Sequence, residues 1–100
     1  MYVGSNSRVS VVYFIQQGED GPIKIGRVQL YVVERRIKTL QIGNPQRLHL
    51  RRLVRGDADM EAELHRVFRS TRIRADGEWF SLSPELEHVV HDVGTTRSLA

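Results

Sequence analysis

The run Val9-Ser10-Val11-Val12-Tyr13-Phe14-Ile15-Gln16 constrains this chain most. β-Branched and aromatic side chains of this kind pack well on a pleated surface and favour a strand. Successive strand residues point to opposite faces, yet the second half of the run is apolar at both alternating positions, so the strand must be covered on both sides. Gly18-Glu19-Asp20-Gly21-Pro22 then supplies turn chemistry. Ile23-Lys24-Ile25-Gly26 reads as a short return strand, which makes a hairpin.

The remaining sequence has to supply the two covering layers. Between Tyr31 and Gln41, Val33, Ile37 and Leu40 recur at helical spacing, and Gly43-Asn44-Pro45 stops the helix. Arg47 to Val54 alternates at first, with Leu48 and Leu50 opposite Arg47, His49 and Arg51, and reads as a third strand. A second helix follows Gly56, with Asp57 or a neighbour as its cap and Met60, Leu64, Val67 and Phe68 on one stripe. Glu78 to Ser81 reads as a short strand. Ser83 as N-cap, Pro84 in the first turn and Gly94 as terminator then bracket a last helix that buries Leu86, Val89, Val90 and Val93. The expected fold class is α+β: a small, three-stranded, mainly antiparallel sheet in ββαβα order flanked by helices, plus a C-terminal strand and helix. One domain over residues 1–100 is expected, with its core at about 9–93 and loose ends.

With 40% hydrophobic residues and no cysteine in 100 residues, packing alone must hold such a domain. A disulfide frame or a thiolate metal site is excluded, and the reducing cytosol suits the composition. No apolar run reaches the roughly 20 residues that span a bilayer, and Met1 to Ser10 lacks the pattern of an export signal; a cytoplasmic protein with no membrane partner is expected. The net charge of +3 hides an asymmetry. From Lys24 to Arg74 there are 13 Lys or Arg against five acids, whereas from Ala75 to Ala100 one Arg faces five acids. Such concentrated basic charge fits a polyanion, whose condensed counterions are released on binding; on charge alone a solvated basic surface fits equally well.

Four segments carry a more specific signal. They are Val11-Val12-Tyr13 with Lys24-Ile25-Gly26; Glu34-Arg35-Arg36-Ile37 running to Gly43-Asn44-Pro45; Glu61 with Leu64, His65 and Phe68; and Gly77-Glu78-Trp79-Phe80. In residue pattern and order the chain resembles the GIY-YIG nuclease superfamily, in its short phage and fungal branch of the meiotically up-regulated gene type. Val11 stands where the first glycine of that signature would be and Lys24 where the second tyrosine would be. The resemblance implies hydrolysis of phosphodiester bonds by a one-metal endonuclease using Mg2+ or Mn2+. The implied substrate is nucleic acid, DNA ahead of RNA, in the host cytoplasm if the chain is phage-encoded. It implies Tyr13, Lys24, Arg36, His65 and Glu61 as catalytic residues, with Glu61 as the metal ligand.

Helix geometry is compatible with these roles. At about 100° per residue, Glu61 lies about 65° from the centre of the second helix's apolar stripe, closer than Glu63. A lone carboxylate is a credible Mg2+ ligand, because that ion keeps waters and takes phosphate oxygens; Glu61 also suits the helix macrodipole as an early acid. Arg36 lies about 70° from the centre of the first helix's apolar face whereas Arg35 points to water. The Arg36 fork could grip two phosphate oxygens or simply cover the core edge. Tyr13 shares a strand face with Val11 and Ile15, so a core role competes with a catalytic one. A phenol with a pKa near 10 is a poor base unless positive charge or a metal-bound water lies beside it; paired across the hairpin, Lys24 could favour the phenolate or contact the phosphate. His65, one turn after Glu61, could orient the carboxylate, contact phosphate or shuttle a proton.

Arg27, Arg47, Arg51, Arg52, Arg66 and Arg69 are the expected nucleic-acid contacts, with Arg72 and Arg74 as further candidates. Trp79 and Phe80 are expected to cap the core beneath the second helix. Two other functions fit the same residues: a nucleic-acid-binding module that keeps the scaffold without catalysis, and a basic domain that meets an acidic protein. Target selectivity would come from loops, a homodimer or a separate targeting partner. No zinc-binding His pair, Gly-rich phosphate loop or serine-nucleophile signature is present.

Overall fold

The computed structural model describes residues 9–91. Its strands are β1 (Ser10–Gln17), β2 (Ile23–Gln29), β3 (Leu48–Arg55) and β4 (Trp79–Phe80). Its α-helices are α1 (Val33–Ile42), α2 (Ala58–Val67) and α3 (Pro84–Val90), with 3-10 turns at Leu30–Val32 and Arg69–Thr71. The α+β class and the antiparallel ββαβα core are as the sequence indicates. The short C-terminal strand is not an appendage, however. It pairs with the outer edge of β2, Ile23 to Phe80 and Lys24 to Trp79, making one four-stranded sheet in the order β3-β1-β2-β4.

β1 is an interior strand of that sheet, antiparallel to both β2 and β3, and this is why Val11 to Gln16 are buried without a break. Gly18 turns the hairpin with φ +68, a left-handed conformation that glycine adopts without a Cβ penalty. Val12 and Phe14 face a cluster with Ile23, Ile25, Phe68, Phe80, Leu86 and Val90, so α2 and α3 cover that side. Val11, Tyr13 and Ile15 face the other side, with Val28, Val33, Leu48 and the apolar positions of α1. Phe80 therefore packs under α2 and α3 as expected, but Trp79 belongs to the opposite, α1-facing cluster, because neighbouring strand residues alternate.

Alternation in β3 breaks where the β1–β3 register shifts between Phe14 and Ile15, so that Phe14 pairs with Arg52 and Ile15 with Leu50. This bulge leaves Arg51 as the extra residue, which explains why Leu48, Leu50 and Leu53 share one face despite their uneven spacing. The caps follow local chemistry. Asp57 accepts from Met60 N to start α2, and Ser83 accepts from Leu86 N, with Pro84 in the first turn, to start α3. Gly94, expected to end the last helix, and Val93, expected among its buried positions, lie outside the described residues. α1 begins at Val33 rather than Tyr31, preceded by the Leu30–Val32 turn.

The inward face of α2 differs from the expected stripe. Met60 is 40% and Val67 52% exposed, whereas Glu61, Leu64, His65 and Phe68 are the half-buried or buried positions. Their i, i+3, i+4, i+7 spacing is that of a single helix face, and two of the four are polar. Among the described residues no helix is long and apolar enough to cross a membrane.

Candidate functional site

Tyr13 projects from the middle of β1 onto the α1 side, and its backbone partner across the hairpin is Gly26. With no side chain on Gly26, the tyrosine ring lies directly over it: a Cβ there would stand 2.3 Å from Oη. The phenol is 1% exposed. From α1, Arg36 donates through Nη1 to Tyr13 Oη at 3.4 Å. The buried surroundings push the phenol pKa above 10.0; the hydrogen bond and charge of Arg36 pull it down, while the carboxylates of Glu78 and Glu61 push it up. Tyr13 thus feels groups from both faces of the sheet at once.

Glu61 and His65 reach the same edge of β2 from α2. Nε2 of His65 lies 2.8 Å from the Ile25 carbonyl; since a carbonyl only accepts, Nε2 carries the proton and donates. The ring also packs 5.2 Å from Phe80, so it is fixed on two sides. Glu78, just before β4, accepts from Ile25 N through its own carbonyl, which anchors its backbone beside the same strand. One ligand atom each from Glu61, His65 and Glu78 lie within 4.8 Å of one another, all three residues half-buried. Two carboxylates and an imidazole make a donor set that a divalent cation with a preference for oxygen can use; the imidazole is better tolerated by Mn2+ than by Mg2+.

Glu78 belongs to the Gly77-Glu78-Trp79-Phe80 segment, where the sequence pattern alone assigns it no role. Its place depends on β4 docking against β2, which no local spacing encodes.

Lys24 has a different charge partner from the one expected. The cation against the phenol is Arg36, whereas Nζ of Lys24 pairs with Glu78 Oε1 at 2.9 Å and sits 5.9 Å from the centre of the Trp79 ring. The cause is the docking of β4, which pairs Lys24 with Trp79 and brings Glu78 beside it. Arg27 joins the site from β2, with Nε 3.8 Å from Glu61 Oε1. The site therefore collects Tyr13, Lys24, Arg27, Arg36, Glu61, His65 and Glu78 around the stretch of β2 from Lys24 to Arg27.

The other arginines are dispersed. Arg51 is hydrogen-bonded to Gln16 Oε1 and to His91, and Arg52 donates to Val89 O at 2.6 Å; both tie β3 to the α3 layer. Arg66 pairs with Glu63 in the next turn of α2 and Arg69 donates to Arg66 O at 2.9 Å. Arg72 donates to Gly77 O at 2.7 Å, and Arg74 pairs with Asp76. Arg47 is exposed at the hairpin-turn end, where its carbonyl accepts from Gly18 N.

Residues 10–96 match the model of one protein family, the T5orf172 domain. The chain belongs to that family. In this T5orf172 domain the match spans the whole sheet, all three helices and every residue of the site. No curated protein and no solved structure matches the chain.

Proposed function

We propose that this T5orf172 domain is a metal-dependent endonuclease of the GIY-YIG type that hydrolyses phosphodiester bonds in nucleic acid, DNA ahead of RNA. The observation that carries the reading is the contact of Arg36 with the buried Tyr13 hydroxyl beside the Glu61, His65 and Glu78 cluster. Phosphodiester hydrolysis needs an attacking water held in line, positive charge on the phosphate and little freedom in either, and a phenol, a guanidinium and paired carboxylates supply the parts. Membership of a family associated with nuclease-type phage and fungal proteins supports the same reading.

Glu61, with Glu78 and His65 beside it, would hold Mg2+ or Mn2+. When bound, the ion supplies positive charge against the charge that builds up on the scissile phosphate. Arg36 grips a phosphate oxygen with the part of its fork that does not face Tyr13. With its pKa raised, Tyr13 keeps its proton at neutral pH and orients the attacking water through its oxygen lone pairs. Neutralising Glu61 and Glu78 would remove two of the charges that hold the phenol pKa up, which readies it to take part in proton transfer. His65 holds its place through the Ile25 carbonyl and stiffens the Glu61 side of the site. Lys24 acts on Glu78, and through it on the cluster, rather than on the phenol.

The test is nicking of supercoiled plasmid DNA. Wild-type protein should nick with Mg2+ or Mn2+ and not with EDTA, and Glu61→Ala should remove the activity. A second reading, a binding module without catalysis, is favoured by one observation: Lys24 and Arg27 already meet Glu78 and Glu61. Salt-sensitive DNA binding with no nicking under any divalent ion would establish it in place of the first.

A further inference from the structure

Beside the site lies a cavity of about 230 Å3 that no step above uses, walled by Pro22 of the hairpin turn, Asn44 after α1, and Ile73, Arg74, Gly77 and Trp79. We infer that it receives one unpaired nucleobase of the nucleic-acid substrate, packed against Trp79. The inference rests on the nuclease reading for the placement of the phosphate and deepens it to a substrate class: strands with a bulged, mismatched or single-stranded base at or beside the cleavage point.

Four features point to that occupant. The volume falls below the roughly 300–1,000 Å3 of pockets that enclose a whole small molecule, so a single planar ring system suits it better. The wall is aromatic and aliphatic, which favours the π-face of any base. Asn44, whose Oδ1 accepts from Gln46 N, keeps its amide N–H2 as a donor for a base carbonyl or ring nitrogen. Charge is complementary to the strand that carries the base: Arg74 on the cavity wall pairs, among the described residues, with Asp76 in an exposed ion pair, which solvent screens and a phosphate can displace.

The cavity is also placed where a base has to go. Glu78 serves the carboxylate cluster and Trp79, the next residue, serves the cavity. A strand whose phosphate lies by Tyr13 and Arg36 can thus turn the adjoining base in beside β4. Withdrawing a base from the stack costs pairing and stacking free energy in a duplex and costs least where the base is already mismatched or single-stranded, which is why an unpaired base is the occupant inferred.

Trp79 is the single tryptophan of the chain, so its fluorescence reports the contact directly. The experiment titrates the full chain, in EDTA to prevent cleavage, with a DNA hairpin carrying one bulged thymine and a distant label for anisotropy. The same hairpin with an abasic residue at the bulge is the control. The bulged DNA should quench Trp79 in step with binding, and the abasic DNA should bind about 5- to 150-fold more weakly without quenching. Gly77→Leu narrows the cavity, and its new Cβ meets nothing nearer than 3.6 Å, so the variant should fold and lose the discrimination. Equal affinity for both DNAs, no quenching on binding, or discrimination that survives Gly77→Leu overturns the cavity assignment and leaves the nuclease reading standing. Failure of either DNA to bind at low salt removes both.

Discussion

Gly26 lies beneath the ring of Tyr13 so closely that a Cβ on it would stand 2.3 Å from Oη and 2.4 Å from Cζ. The ring is buried among Val11, Ile15, Val28 and Val33 and has little room to retreat, so Gly26→Ala must push the phenol off Arg36. Overpacking of this kind costs about 1–3 kcal/mol, and a misplacement near 1 Å can lower turnover about 100-fold. Gly26→Ala should therefore melt a few degrees lower yet stay folded, with single-turnover cleavage down by about that factor. Unchanged cleavage would show that the position of the phenol is immaterial.

The raised pKa of Tyr13 sets a pH window. An unfolded tyrosine titrates near 10, whereas the folded one holds its proton higher because the ring is buried. Above about pH 10 the unfolded chain binds fewer protons than the folded chain, so stability falls as pH rises. Below that value the contribution is fully present. Tyr13→Phe, which has no such proton, should cleave no DNA, bind it normally, and lose less stability than wild type between pH 10 and the folded pKa. Thermal melts across pH 7 to about 11.5 decide this; parallel curves for the two proteins would exclude a protonated, buried phenol.

Arg36 and Arg35 are adjacent on α1, and Arg36 is the one that contacts Tyr13. A donor aimed at a developing oxyanion is worth about 100- to 1,000-fold in rate. Arg36→Ala should lower single-turnover cleavage by that range, with Arg35→Ala within a few-fold of wild type. Equal losses from both would reduce Arg36 to general surface charge.

The arginines of β3 should act on the fold. Arg52 donates to Val89 O at 2.6 Å, and a hydrogen bond from a charged donor contributes about 1.5–3 kcal/mol. Arg52→Ala should lower the urea midpoint accordingly and leave the salt dependence of DNA affinity unchanged. A drop of about one in the salt slope would place Arg52 on a phosphate instead.

The hairpin, the helix caps at Asp57 and Ser83, and the course of α1 were all legible in sequence, since each rests on neighbours a few residues apart. The face of α2 was not. An apolar template selects Met60 and Val67, yet both are exposed, because the helix turns Glu61 and His65 inward with Leu64 and Phe68. A hydrophobic pattern is blind to a face that is polar for chemical reasons. The bulge at Arg51 and the docking of β4 escaped for a different cause: both are set by pairing between distant segments. Glu78 and Lys24 followed from that docking, and so did the separation of Trp79 from Phe80. Tyr13, Arg36, Glu61 and His65, from the hairpin and the first two helices, come together through the pairing of β1 with β2 and the packing of α1 and α2 on the sheet.

The central claim is that Glu61 and its neighbours arm this edge of β2 for metal-dependent cleavage. The most direct measurement compares nicking of supercoiled plasmid by wild type and the isosteric Glu61→Gln, with Mn2+ binding and DNA affinity taken on the same preparations. The account predicts nicking by wild type alone, weakened Mn2+ binding in the variant, and DNA affinity equal within a few-fold. Nicking by Glu61→Gln at the wild-type rate, or none by wild type with either ion, would contradict it.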